Sequence, residues 1–409
     1  MGMKHDQNRA GEITRIAAAH LVSQGSPQLP LFKVENAAPV FISRPFLRLP
    51  RPDRLLSRLR FQLRTPSNGE KYPDEVLDAW DLRPLGPVRR VGGPGRSMNW
   101  LIQTNAGLKI LKRYKPIIDR DWVLHEHSIL QVLAAADFPA PRLVSAGETT
   151  LVERDGGIFA LFEVYEGYFH SHNNIFLPGM AQQFISAAGK TLATLHLALR
   201  GFNPQGRNPN GFMTISGGRW HELGWYFSRL ERCAAFLPTI SMPALSTSYG
   251  NQASGRHVIS AGWLRQRLGK LDDTLKHAPL PRVIAHGDYG PYNLLFRQGS
   301  PVVVLDFELA RLDWRLTDFS SGLFFFTHGR TGFHWKKMHW FLDAYRSTVP
   351  VSAEEIQYLP LVWQFLTMRR FIVFAERALE GNPGAMQEAR EHLKLLDWLI
   401  RHEEELKRL

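Results

Sequence analysis

The sequence predicts an α+β fold in two lobes, a small β-rich one followed by a larger, mostly helical one, behind a basic N-terminal extension. Three observations lead there. Short strand-like runs separated by glycine turns fill residues 71–166, with one amphipathic helix among them. Segments with apolar residues at helical spacing fill most of 167–409. Within that helical half, two apolar runs, "VIAHGDYGPYNLLF" and "VVVLDFELA", read as a short sheet. The chain therefore divides as 1–70, 71–166 and 167–409, without an internal repeat.

The extension is set apart by charge. Residues 1–70 hold eleven Lys or Arg against five acids, half of the net +12 in about a sixth of the chain. Seven arginines fall between 44 and 64, broken up by prolines, with Leu55, Leu56, Leu59 and Leu63 at helical spacing. The segment reads either as a solvated linker or as a short basic helix making weak contact with an anionic surface; the first reading is favoured. The remaining 339 residues are only mildly basic, so no specific nucleic-acid partner is expected. A chain starting near Lys71 is expected to fold and to keep any nucleotide-induced stabilisation.

The small lobe reads in order. "DEVLDAWDL" is helical, and "PVRRVGG" and "MNWLIQTNAGLKILKRY" are strands joined by a glycine-rich turn and then by the hairpin "NAG". "DRDWVLHEHSILQVLAAADF" is a helix. Gly156-Gly157 separates the strands "TTLVER" and "IFALFEVYEG". Helices follow at "AQQFISAAGKTLATLHLALRGF", "WHELGWYFSRLERCAAFL" and "SAGWLRQRLGKLDDTLKHA", and continue after the second apolar run to Leu409. Hydrophobic content of 44% with 22% charged residues is that of a globular chain, and no apolar run approaches the ~18 residues of a spanning helix. The first residues lack a secretory h-region, and the single Cys233 allows neither an internal disulfide nor a cysteine metal cage. A reducing cytoplasm is the expected compartment.

The two apolar runs carry the chemistry. "HGDYGPYN" places Asn293 five residues after Asp288, the interval of kinase catalytic loops. Asp306 ends the run "VVVLD", where a metal-binding carboxylate belongs. Between them there is room for two short strands and a turn, and such a hairpin brings the second aspartate back to the first. Phosphoryl transfer needs this parts list: a carboxylate to orient a hydroxyl and take its proton, and oxygen ligands for Mg²⁺. Upstream, Lys112 on "GLKILK" and Glu126 on the following helix fit a strand-lysine and helix-glutamate pair for phosphates, with Lys109 as an alternative on the opposite strand face. Backbone amides in "GGPGRSMN", around Gly93, Gly95 and Ser97, can cover phosphates, although a plain hairpin turn reads equally simply. His196 reads as a core histidine, His328, His334 and His339 as scattered residues, and "GLFFF" at 322–326 as core or pocket wall.

"HGDYGPYNLLF" followed by "VLDFELARLDWRLTDFS" resembles the signature of the aminoglycoside phosphotransferase and choline kinase-like superfamily, over roughly 72–400. "GLKILKRY", "HEHSILQVLAAADFPAPRLV", "LFEVYEGY" and "GKTLATLHLALRGFNPQG" come in family order. The resemblance implies a two-lobed protein-kinase-like fold using ATP and Mg²⁺, with Asp288 as base, Asn293 and Asp306 as metal ligands, and Lys112 with Glu126 on the phosphates. It implies adenine read along Phe162 to Glu166, hence Glu163 and Tyr165, with His286 bracing the catalytic loop and Asp318 holding it. Asp313 and "DFS" depart from the glycine and Asp-Leu-Ala of many members. The function expected is ATP-dependent phosphorylation of a small-molecule hydroxyl. A non-catalytic kinase-like module, as spore-coat relatives suggest, and a serine/threonine protein kinase are the rivals. Arg330, Lys336, Lys337, Arg369 and Arg370, beside Trp335, Trp340 and Trp363, disfavour a polycationic aminoglycoside as acceptor. A choline-like amine, an amino-acid alcohol or a sugar remains open.

Overall fold

The computed structural model describes residues 74–91, 97–165, 167–169, 181–206, 208, 223–234, 259–297, 300–329, 332–382 and 384–409. The extension 1–70, Gly93, Gly95, Glu166 and Arg330 lie outside these. The chain forms two compact units, Met1–Lys115 with Val144–Phe162, and Pro116–Leu143 with Glu163–Leu409.

The first unit is built on a sheet with strand order β1-β2-β3-β6-β4, to which β5 adds on β6. Its strands are β1 (Arg89–Val91), β2 (Met98–Thr104), β3 (Gly107–Arg113), β4 (Leu143–Val144), β5 (Val152–Arg154) and β6 (Gly157–Glu163). The "NAG" hairpin pairs β2 with β3 antiparallel, with Thr104 opposite Gly107 and Asn99 opposite Lys112. Alternation directs Trp100 and Ile102 to one face, where Leu111, Phe159 and Leu161 join them. Val76, Leu77, Trp80 and Leu82 close that core. The first three come from "DEVLDAW", which forms a 3-10 helix, Asp74–Trp80, in the stretch the sequence reads as helical, and Leu82 follows it. The turn is anchored at both ends of its reach: Trp80 Nε1 donates to the Val144 carbonyl at 2.9 Å, and Arg154 pairs with Glu75.

The second unit holds the helices α1 (Arg120–Ala135), α2 (Ala181–Ala198), α3 (Leu223–Cys233), α4 (Ala261–Lys276), α5 (Arg315–Thr327), α6 (Trp335–Arg346), α7 (Ala353–Gln357), α8 (Leu359–Leu379), α9 (Ala385–Arg401) and α10 (Glu403–Leu406). Their starts follow capping rules: Asp119, Ser260 and Ser352 each accept a hydrogen bond from the backbone N–H three residues on. Helix α8 is the axis, buried from Val362 through Val373 except at Arg370 and packed on α3, α4, α5 and α9. Helices α2 and α6 meet at Gly189, where a Cβ would collide with the Phe341 carbonyl. No helix among the described residues is long and apolar enough to cross a membrane.

Relative to the lobes 71–166 and 167–409, residues 116–143 and 163–166 group with the helical unit. Helix α1 groups with the helical unit, because Trp122 Nε1 donates to the Glu308 carbonyl (2.6 Å) and His125 Nε2 bonds the Ala310 carbonyl (3.1 Å). Those bonds span more than 180 residues, and strand-helix order along the chain does not encode them.

The short sheet in the helical unit is two pieces. Strands β9 (Leu294–Arg297) and β10 (Ser300–Val304) form the expected hairpin, extended by β7 (Tyr168–Phe169) on β9. Strand β8 (Arg282–Ala285) pairs antiparallel with β11 (Arg311–Trp314), which sequence periodicity does not reveal. A last ribbon joins β12 (His328–Gly329) to β13 (Gly332–Phe333).

A chain shortened to begin at Lys71 is expected to melt within a few degrees of the full chain, because among the described residues the core begins at Val76. A chain beginning at Arg83 loses Val76, Leu77, Trp80 and Leu82, each worth about 1.5–3 kcal/mol of burial. It is expected to melt far lower, and equal melting of the two would refute this boundary.

Candidate active site

The turn after β8 is held from beneath by one carboxylate. Asp318, fully buried on the first turn of α5, accepts from the His286 amide at 2.7 Å and the Gly287 amide at 2.9 Å. His196 Nε2 lies 3.0 Å from the same carboxylate, and its Nδ1 lies 2.8 Å from the Tyr345 hydroxyl. Burial pushes the Asp318 carboxyl upward, but the hydrogen bond and charge of His196, the His286 charge and the Gly287 amide overcome this. The net result is below the usual carboxylate range, so Asp318 is a fixed anion.

Gly287 is required by this arrangement. Its φ is +82°, and a Cβ there would sit 2.6 Å from both the Leu309 carbonyl and Arg311 Nη1. His286 reaches the other way. Its Nε2 is 2.8 Å from the Leu305 carbonyl, and its Nδ1 accepts from the Asp288 amide at 3.3 Å. With Nε2 as the donor, one imidazole ties the base loop to the residue before Asp306.

The hairpin completes the approach. Leu294 pairs with Val304, and the Leu305 amide donates to the Asn293 carbonyl at 2.8 Å. Asn293 Nδ2 donates to the Asp288 backbone carbonyl at 2.9 Å and reaches its Oδ2 at 3.3 Å. The nitrogen being so used, the Asn293 amide oxygen is the atom turned away from those acceptors. Asp306 is exposed and adopts φ 66°, ψ 67°, a left-handed conformation that costs a non-glycine residue about 1–3 kcal/mol. Asp288, Asn293 and Asp306 are thus gathered, with His286 and Asp318 behind them.

Asn293 and Asp306 offer an amide oxygen and a carboxylate, the hard donors that Mg²⁺ prefers. Among the described residues no group of three or more His, Cys, Asp or Glu gathers as a metal site. The pair therefore fits a divalent cation that draws its remaining oxygens from phosphate and water.

The first unit places Lys112 on β3 with its Nζ 4.3 Å over the Tyr114 ring. Lys109, the alternative, turns its Nζ back to the Ala106 carbonyl at 2.9 Å within its own hairpin. Ser97 is buried at the start of β2, and its carbonyl accepts from Asn99 Nδ2. In the second unit Glu126 is buried on α1, the Glu163 amide donates to the Arg142 carbonyl at 3.0 Å, and Tyr165 is half-buried.

Three features escape sequence reading. Tyr292 donates to Asp288 Oδ1 at 2.6 Å, and burial first, then the Asp288 charge, push its phenol well above the usual range. It stays a hydrogen-bond donor to the proposed base; its place four residues after Asp288 was its only signal. His196 is core, as read, yet it is also the partner of Asp318. Arg369 is fully buried against Tyr226, whose hydroxyl it contacts at 2.5 Å, so it does not serve an acceptor. Asp313, the departure from glycine, is ion-paired to Arg311 at 2.7 Å.

The model of the phosphotransferase enzyme family matches residues 87–347. The chain belongs to that family. It is 24% identical over 331 residues to a homoserine kinase of Rhodospirillum rubrum, covering 80% of this chain and 91% of that one. Solved structures share the fold. An amicoumacin kinase in complex with AMP-PNP, Ca²⁺ and Ami superposes with a TM-score of 0.52 at 14% identity, covering 88% of this chain and 93% of its own. A choline kinase, LicA, from Streptococcus pneumoniae superposes with a TM-score of 0.52 at 15% identity, covering 81% and 99%. The protein is therefore a phosphotransferase-family chain with a kinase-like α+β fold.

Removing the anion beneath the loop tests the geometry. Asp318→Ala leaves three donors without their acceptor and is expected to cost about 3–5 kcal/mol, read from denaturant midpoints. Because the folded pKa of Asp318 is depressed, its contribution is complete above the unfolded value near ~4 and is lost as pH falls through the lower folded value. The stability gap between wild type and D318A should therefore narrow on acidification below ~4. A gap that is constant with pH, or a variant as stable as wild type, would refute the role.

Proposed function

We propose that the protein transfers the γ-phosphate of ATP to the hydroxyl of a small-molecule acceptor, with a divalent cation, Mg²⁺ by choice of donors. The observation that carries this reading is the constellation of Asp288, Asn293 and Asp306 on one loop and hairpin, locked by His286 and Asp318. A binding module has no use for a half-buried carboxylate set beside a buried amide and an exposed carboxylate that suit a metal.

Asp288 accepts the proton of the attacking hydroxyl as its oxygen bonds to the γ-phosphorus and ADP departs. Tyr292 occupies one carboxylate oxygen, and the other, which Asn293 Nδ2 reaches only at 3.3 Å, takes the proton. Asn293 and Asp306 hold the cation, which when bound offsets the charge of the transferring phosphoryl group. As the resemblance implies, Lys112 and Glu126 serve the non-reacting phosphates, and the backbone at Glu163 and Tyr165 reads the adenine.

An acceptor of the amino-acid alcohol class is supported by the similarity to homoserine kinase over most of both chains. A polycationic aminoglycoside is disfavoured by the basic residues Lys336, Lys337 and Arg370 on the helices after Asp306.

Asp288→Asn is expected to lower single-turnover phosphoryl transfer by about 10²–10⁴ while ATP affinity stays within a few-fold. Near-wild-type transfer would remove Asp288 from the role. Asp306→Ala is expected to abolish metal-dependent ATP binding in calorimetry, and Asn293→Ala to weaken it less. Unchanged metal-ATP affinity in D306A would show that the metal site lies elsewhere.

A further inference from the structure

A small cavity lies among α5, α8 and α9, with room of about 20 Å³ for the centres of water-sized groups. Its walls are unusual for a helical core. Phe324 and Trp363 are apolar, but Thr317, Ser321, Arg370 and His392 also line it. Thr317 and Ser321 are each 4% exposed and His392 is 7% exposed. The Thr317 Oγ1, the Ser321 Oγ and the His392 Nδ1 find no hydrogen-bond partner among the described residues. A buried polar atom left so costs about 1–3 kcal/mol, and three converging on one cavity mark it as built for something polar.

The charge there is positive. Burial, reinforced by Arg370, pushes the His392 imidazole down to about 3, so it stays neutral and presents one N–H and one lone pair. Arg370 is the half-buried cation of the group, and its charge also acts on Tyr292, which touches Asp288. Phe325, next to the wall residue Phe324, packs edge-on against Tyr292 at 4.9 Å, and Tyr292 in turn bonds Asp288. The cavity's volume excludes a sugar ring and leaves room for no more than a small polar end group.

We propose that this cavity is the carboxylate subsite of the acceptor: a small alcohol carrying an acid group, held by Arg370, Thr317, Ser321 and His392, with its hydroxyl presented to Asp288. The inference rests on the phosphotransferase reading and adds the chemical class of the substrate. Guanidinium with hydroxyl donors is the ordinary recognition of a carboxylate, and a site so built rejects an acceptor that leaves its donors unpaired.

Three short alcohols separate the requirements: 4-hydroxybutyrate (acid only), 3-amino-1-propanol (amine only) and L-homoserine (both). With Mg·ATP and the full chain, kcat/KM for the two acids is expected to exceed that for the amino alcohol and for choline by about 10²-fold or more. Arg370→Gln should shrink that preference by about 10²-fold through KM, and Arg370→Lys should restore part of it. Ser321→Ala should raise KM for the acids several-fold, which guards against a folding defect in the arginine variant. Turnover of amino alcohols without preference for acids, or equal loss for all acceptors in R370Q, overturns the subsite while leaving the kinase reading intact. Calorimetry with 4-hydroxybutyrate in the presence of a non-hydrolysable ATP analogue decides binding independently of turnover. No heat of binding to the folded protein overturns the subsite. Absence of any Mg·ATP-dependent thermal shift instead refutes the phosphotransferase reading.

Discussion

A single buried anion organises the catalytic half of this protein. Asp318 takes two backbone amides and an imidazole, all hydrogen-bonded within 3.0 Å, in a setting that excludes water. A buried carboxylate without such partners would neutralise; with them it stays charged and pulls the 286–287 turn onto the start of α5. Because Gly287 must then pass against Leu309 and Arg311, the loop has one shape. The residues from Asp288 to Asp306 follow from that shape.

From the fixed turn, two short ties carry order to the reactive groups. His286 bonds the Leu305 carbonyl and the Asp288 amide, and the hairpin closes with Leu305 on Asn293. Asp306 is thereby held in a left-handed conformation, and the strain is offset by the ties on either side. The result is a division of environment. Asp288 is half-buried and oriented by Tyr292 and Asn293, which suits the proton acceptor proposed for it. Asp306 is exposed, which suits the metal ligand proposed for it.

Local features were legible in the sequence, and distant pairings were not. The Asp288–Asn293 interval and the strand pattern before Asp306 are short-range, so the hairpin of β9 and β10 and the gathering of the three groups could be read directly. The "NAG" turn likewise announced the pairing of β2 and β3. By contrast "RLDW" has no strand alternation of its own; it is a strand because β8 pairs with it. Helix α1 was legible as a helix, but its bonds to Glu308 and Ala310 arise only in three dimensions. The same holds for His196, which is 122 residues from Asp318, and for the polar cavity, whose lining comes from three helices. Charge counting alone treated Arg369 and Arg370 alike, although one helical step separates a core residue from a cavity residue.

Phosphorus NMR of the full-length protein with ATP, Mg²⁺ and a short hydroxy acid tests the central claim most directly. The expected spectrum shows a new phosphomonoester resonance growing in step with ADP, and neither appears when the divalent cation is removed. Release of inorganic phosphate alone, or an unchanged ATP spectrum from protein that binds the nucleotide, would contradict the account.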